Sequence, residues 1–178
     1  GLFTPLVALF LPRAVLLTSL GVITLIFLAF EILRFRASSI NRWFLLHFRP
    51  LLRETEVSRL TGTSYMLIAS LIAFLVFPRD IAVIALSFLA VGDSLATIAG
   101  KQLGKRKLFD KTVEGDVVCF ASCVAIGLVF YYVGLSVPLL TIVAGAIAAA
   151  IIEAIPLPIN DNLTMPLFAG LVMTVMPI

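Results

Sequence analysis

Charge is scarce in this chain: 13% of its 178 residues are Asp, Glu, Lys or Arg, against roughly a quarter in soluble domains. So few charges cannot cover a water-facing surface, which excludes an ordinary soluble globular domain. The net charge is only +3, so nucleic acid is not a natural partner. Histidine occurs once, at His47. No Ser-His-Asp set can be assembled around it, and it fits an interfacial residue better than a base. Cys119 and Cys123 are the two cysteines and lie four apart in an apolar run. No zinc-ligand spacing surrounds them, so they read as small core or lipid-facing residues. Neither strands nor an internal repeat are expected. A basic start followed by a small-residue cleavage site is also missing.

Apolar residues are abundant, at 61% with a mean hydropathy of +1.16. Length and composition predict an all-α, polytopic transmembrane helix bundle forming a single integral membrane domain over residues 1–178. Apolar runs at 14–33, 60–77, 81–103, 117–133, 137–155 and 163–178 give about six spans or partial spans. Residues 1–11 are too short to span alone and read as the remains of a helix or an interfacial segment. In residues 34–59, Trp43, Phe44, Leu45, Phe48, Leu51 and Leu52 alternate with Arg and Glu. This predicts an amphipathic helix at the headgroup level, broken near Pro50.

Eleven of the thirteen basic residues fall in two stretches, 34–59 and 101–111. Two spans separate the stretches, so both lie on one side, and positive charge marks that side as cytoplasmic. Arg13 and Arg79 fall on the other side. Two further spans return the loop 156–162 to the cytoplasmic face, which gathers the polar stretches there.

The stretch "VGDSLATIAGKQLGKRKLFDKTVEGD", residues 91–116, is the polar exception in an apolar chain. A lone carboxylate at the depth of Asp93 costs several kcal/mol and must face protein, water or a cation. Helical spacing aligns Asp93 with Thr97, Gly100, Lys101 and Gly104. Asp93 either pairs with Lys101 or a Ser/Thr, among small residues that allow close helix packing, or ligates a divalent metal at the membrane surface. The loop that follows has the chemistry to hold a polyphosphate. Lys101, Lys105, Arg106, Lys107 and Lys111 can neutralise it, Gly104 and Gly115 admit it close to the backbone, and Thr112 can donate a hydrogen bond. The loop also runs into a helix start, which favours anions. Arg106 and Lys107 serve equally as anchors for anionic headgroups. Glu114 and Asp116 serve equally to complement a helix N-terminus.

"EAIPLPINDNLTMPL" adds Glu153 near the end of a span, then Asn160, Asp161 and Asn162. Hard cations such as Mg2+ favour carboxylate and carbonyl oxygen, so Asp93, Asp161 and Asn162 form a candidate metal set. Turn preference alone also explains the Asn and Asp residues. Arg53 and Glu56, three apart, can pair on a helix and mark an interfacial anchor or an active-site lid.

These motifs resemble the polytopic CTP-dependent lipid kinases: dolichol or polyprenol kinase, phytol kinase and the CTP-dependent diacylglycerol kinase. "GDSLATIAGKQLGKRKLFDKTVEG" has the G-D-x-x-A helix, the G-[KR]-x-x-G-[KR] turn and the K-[ST]-x-E-G step. "PINDNLTMPL" is similar to the D-N-[LF]-x-[VM]-P-L loop. "RFRASSINRWFLLHFRPLLRETEVSRLTG" resembles the upstream segment of the diacylglycerol and polyprenol kinase branch, favouring those acceptors over phytol. The likeness runs from about Phe30 onward. An Arg-Lys and His motif that the family carries near its N-terminus has no match here. The chain begins at Gly1, so an N-terminal part of the family fold is expected to be missing.

The resemblance implies transfer of the γ-phosphoryl of CTP to the hydroxyl of a membrane lipid alcohol, with Mg2+, at the cytoplasmic face of the bilayer. The implied nucleotide contacts are Thr97, Lys101, Gly104, Lys105, Lys111, Thr112 and Gly115. Asp93 and Asp161, with Asn162, hold the metal, and Asp161 or Glu114 accepts the hydroxyl proton. Arg53, Glu56, Glu153 and Asn160 act as lid or support. A related pattern in phosphatidate cytidylyltransferases makes a CDP-lipid synthase the nearest alternative. A small transporter or structural membrane protein is the alternative of another class. Homodimerisation is left open by the sequence.

Overall fold

The computed structural model describes residues 1–49, 52, 54–57 and 59–176. The fold is an all-α bundle of membrane-spanning type. Helices α1 (Phe3–Ala8), α2 (Arg13–Arg36) and α3 (Ser38–Phe48) are followed by α4 (Gly62–Val76), α5 (Arg79–Ser87) and α6 (Ser94–Leu103). The chain then forms strands β1 (Lys107–Leu108) and β2 (Lys111–Thr112), and helices α7 (Val113–Val133), α8 (Leu139–Ala154) and α9 (Asp161–Val175). A π-helical turn, Phe88–Asp93, joins α5 to α6, so that Arg79–Leu103 is one continuous helix of 25 residues.

That helix, α2 and α7 are long and apolar enough to cross a membrane, whereas α4 and α8 are shorter apolar helices. At 1.5 Å per residue, 25 residues reach about 37 Å, more than a hydrocarbon core of about 30 Å. The continuous α5–α6 helix is the centre of the bundle: most of its apolar stretch is buried, whereas α2 and α7 bury about a quarter of theirs. Residues Ile81 to Leu86, with Phe88 and Leu89, form the core with Ile142, Met165 and Met173 from α8 and α9. Cys119 and Cys123 are free thiols buried in this core. A Cβ at Gly92 would lie 2.7 Å from the Cys123 sulfur, so glycine is what lets the π-helical turn approach α7.

The helix ends sort by chemistry. Pro12, Pro78 and Pro138 stand immediately before α2, α5 and α8, each with ψ near 145°. Proline needs no N–H there and keeps the entering chain extended. These starts share one end of the bundle, where Arg79 donates to the carbonyls of Ala8 and Leu11 and Asp80 accepts from the Ser136 N–H. Arg13 donates to the carbonyls of Phe74 and Leu75 at the same end. At the other end, Thr61, Thr112 and Asn160 precede α4, α7 and α9. Thr112 Oγ1 accepts from the Gly115 N–H at 3.2 Å, and Asn160 Oδ1 from the Asn162 N–H at 3.0 Å. Such caps satisfy donors that a helix start leaves open.

Three expectations change. The run 60–77 becomes a helix of 15 residues, shorter than a perpendicular span. The last helix begins at Asp161, two residues before the expected start, because Asn160 caps it. The chain also has strands: β1 and β2 pair antiparallel, Lys107 with Thr112 and Leu108 with Lys111. Phe109 turns the hairpin with a φ of +54°. Finally, α3 forms as expected, but the break near Pro50 lies outside the described residues.

A buried ion pair ties the Arg-rich stretch to the bundle. Arg34 and Glu31, both on α2, lie 2.6 Å apart and are almost wholly buried. Arg34 also donates to the carbonyl of Arg59 at 2.9 Å and stacks over Phe44 at 4.6 Å. Glu31 accepts from the Thr61 N–H and the Ser64 hydroxyl, each at 3.2 Å.

Candidate active site

Three acids reach one point from three places in the chain. Asp93 ends the π-helical turn, Glu153 sits one residue before the end of α8, and Asp161 opens α9. One carboxylate oxygen from each lies within 4.8 Å of the others. The hairpin delivers the counter-charge. Lys111 Nζ is 2.9 Å from Glu153 Oε2 and 3.0 Å from Asp161 Oδ2. Burial alone would lower the Lys111 pKa, but the hydrogen bonds and charges of Glu153 and Asp161 more than offset it and raise it above the ordinary 10.5. Lys111 is therefore an ammonium at neutral pH.

The cluster lines a cavity of about 410 Å³. Of the residues singled out in the sequence, Asp93, Thr97, Lys101, Lys111, Thr112, Gly115, Glu153 and Asp161 all face it. Glu153 belongs among the acids themselves, a step beyond its expected supporting place. The signal was available in the sequence, since an acid at the end of an apolar span is as costly there as Asp93. Asp110, which the sequence did not single out, and Asp116, weighed there equally as a helix-start acid and a site residue, also line the cavity. Nothing in the sequence separates them from ordinary turn and helix-start acids.

Other expectations are relocated. Glu114 does not line the cavity. Its carboxylate accepts from the N–H groups of Lys105 and Arg106 at 3.1 to 3.3 Å, so it folds the basic loop. Lys105 is exposed and outside the lining. Gly104 is outside it too: a Cβ there would fall 2.2 Å from the Gly100 carbonyl oxygen and 2.6 Å from the Thr112 methyl. Glycine there lets the loop pack closely on α6. Asn162 faces a neighbouring cavity of about 660 Å³, walled by Phe27, Phe30, Trp43 and Phe44. Asn160 caps α9. Glu56 is buried and accepts from the Gly62 N–H at 2.5 Å, while Arg53 lies outside the described residues. His47 donates from Nδ1 to the Trp43 carbonyl within its own helix and lines neither cavity.

The donor set suits a hard divalent cation. It is all carboxylate oxygen, with Lys111 bridging Glu153 and Asp161. Lys101, Lys111 and Thr112 supply cationic and hydroxyl groups to the same space, which fits a polyphosphate.

Two relatives are similar in sequence. An uncharacterized protein of Rickettsia prowazekii (strain Madrid E) is 28% identical over 179 residues, covering 97% of this chain and 88% of its own. A probable chloroplastic phytol kinase of Triticum aestivum is 33% identical over 129 residues, or 64% of this chain. The chain spans 43% of the length of the wheat protein. No family model and no solved structure matches.

Proposed function

We propose that the chain is a membrane lipid kinase that transfers the γ-phosphoryl of CTP to a lipid alcohol at the cytoplasmic face. The observation that carries the reading is the cluster of Asp93, Glu153 and Asp161 with Lys111 between two of them. The partial likeness to a probable phytol kinase supports a lipid as acceptor.

Phosphoryl transfer requires mainly positioning and stabilisation of charge. Asp93, Glu153 and Asp161 would hold Mg2+, which when bound screens the phosphate oxygens. Lys101 and Lys111 would bind the triphosphate and offset charge as it grows on the leaving diphosphate. Thr97 and Thr112 would orient it by hydrogen bonds. With Glu114 committed to the loop backbone, Asp161 is the stronger of the two bases expected from the sequence.

The test is incubation of the protein in bilayer nanodiscs with γ-labelled CTP, Mg2+ and a panel of diacylglycerol, polyprenol, dolichol and phytol. Label in a lipid, with CDP as co-product, is expected. Label in none removes the kinase reading. Release of pyrophosphate with formation of a CDP-lipid would establish the cytidylyltransferase alternative instead.

A further inference from the structure

Asp116 stands in the first turn of α7, where an acid is unremarkable. Its surroundings are not ordinary. Both carboxylate oxygens are buried and neither has a hydrogen-bond partner. Such a group costs stability unless a donor arrives. Among the described residues, Asp116 alone lines both the polar cavity and a second space of about 480 Å³ between α7 and α8. Apart from Asp116, the walls of that groove are hydrocarbon: Val117 and Phe120 from α7, Ile147 and Ile151 from α8, with Ala150 and Ala154 leaving room between them. Val117, Ile147 and Ile151 are exposed on the outer face of the bundle, so the groove opens toward the membrane.

We infer that this groove holds the hydrocarbon chain of a single-chain lipid alcohol and that Asp116 receives its hydroxyl. The inference rests on the kinase reading for its chemistry. An unpartnered carboxylate calls for a hydrogen-bond donor and repels a phosphate headgroup, so a neutral hydroxyl fits where an ordinary phospholipid does not. A groove between two helices accommodates one chain, and a two-chain lipid would leave its second chain outside. In the reaction, the hydroxyl oxygen forms a bond to the γ-phosphorus. The bond from that phosphorus to the β–γ bridging oxygen breaks, and its electron pair leaves with the nucleoside diphosphate. The hydroxyl proton passes to the Asp116 carboxylate and from there to water as products leave. Asp161 would then serve the cation, and the base would come from the lipid side of the cavity.

Two measurements test this. A long-chain primary alcohol bearing a diazirine midway along its chain is photolysed with the protein in nanodiscs, without nucleotide. Adducts are expected on peptides containing Phe120 and Ile151. Adducts confined to the aromatic cavity beside Phe30 and Trp43 would overturn the inference. Asp116→Asn is expected to lower kcat about 100-fold or more, the scale of a lost general base, with the KM for CTP unchanged. Ala150→Phe is expected to raise the KM for the alcohol about tenfold or more and leave the KM for CTP alone. Normal kinetics in both variants of an active enzyme would overturn the groove and leave the kinase reading standing. Groove adducts without phosphoryl transfer to any lipid would uphold the binding site and remove the kinase reading, with the role of Asp116 as a base.

Discussion

Lys111 occupies a position between Glu153 and Asp161 that a cation would otherwise contest. Lys111→Met leaves Glu153, only 3% exposed, without its cationic partner. The expected cost is about 1–3 kcal/mol, read as a lower Tm in detergent. The Lys111 pKa is raised above 10.5, so the contribution of the pair is complete below that value and is lost as pH rises through the shifted one. Tm of the parent protein should stay level from about pH 7 to about pH 10 and then fall. The Lys111→Met variant should start lower and lack that component of the fall. Asp93→Asn should abolish transfer to lipid, and full activity would remove its role as a ligand. At this scale the sequence was readable wherever a charge stood in the wrong solvent. Asp93 announced itself in an apolar run, and Lys111 in a basic loop. Asp116 did not, because what distinguishes it is the absence of a donor around it, a property of packing. Glu114 and Gly104 stand outside the cavity lining, and a loop that folds on itself draws on the same residue types as one that binds phosphate.

The elements depend on two devices that hydropathy does not reveal. One is the π-helical turn at Phe88–Asp93, which inserts an extra residue into the central helix and sets the direction of everything after it. Deleting Ala90 should restore a regular helix and rotate the Asp93 side by about 100°. Far-UV circular dichroism is expected to persist while phosphoryl transfer is lost; retained transfer would show that the turn does not aim the site. The other device is the Arg34–Glu31 pair. Removing one member of a buried pair costs about 3–5 kcal/mol, so Arg34→Met should destabilise by that order in thermal or denaturant unfolding. The double variant Arg34→Met, Glu31→Gln, which keeps an acceptor for Thr61 and Ser64, should recover part of the loss; a double variant no better than the single would place the effect in packing on Phe44 instead. The apolar runs fixed the existence of the helices because each is a continuous stretch of one solvent preference. Their exact starts followed the Pro, Thr and Asn residues beside them. Arg34 was counted with the basic stretch it begins, since a charge at a helix end gives no sign of being buried until the partner helices are in place.

At the scale of the whole molecule, polarity divides the bundle into a proline end and a site end. The proposed orientation puts the site end in the cytoplasm. Cysteine labelling can check it with little background, because Cys119 and Cys123 are both wholly buried. A membrane-impermeant maleimide should label Lys105→Cys and Lys107→Cys from the cytoplasmic side of sealed vesicles, and Tyr132→Cys from the opposite side. The reverse pattern would invert the orientation. The clustering of basic residues made this division legible, but the meeting of Asp93, Glu153 and Asp161 at one point required the helices to be packed. The central position of the α5–α6 helix also bears on how the protein is made. This helix leaves the ribosome before α7, α8 and α9 exist, carrying Asp93 into the insertion machinery ahead of the residues that later surround it. For that interval the nascent chain holds an acid near one end of an otherwise apolar segment, with neither Glu153 nor Asp161 yet synthesised. The site is therefore a late product of translation, and a ribosome stalled before α8 would present quality-control proteases with a membrane helix whose Asp93 has no finished surroundings.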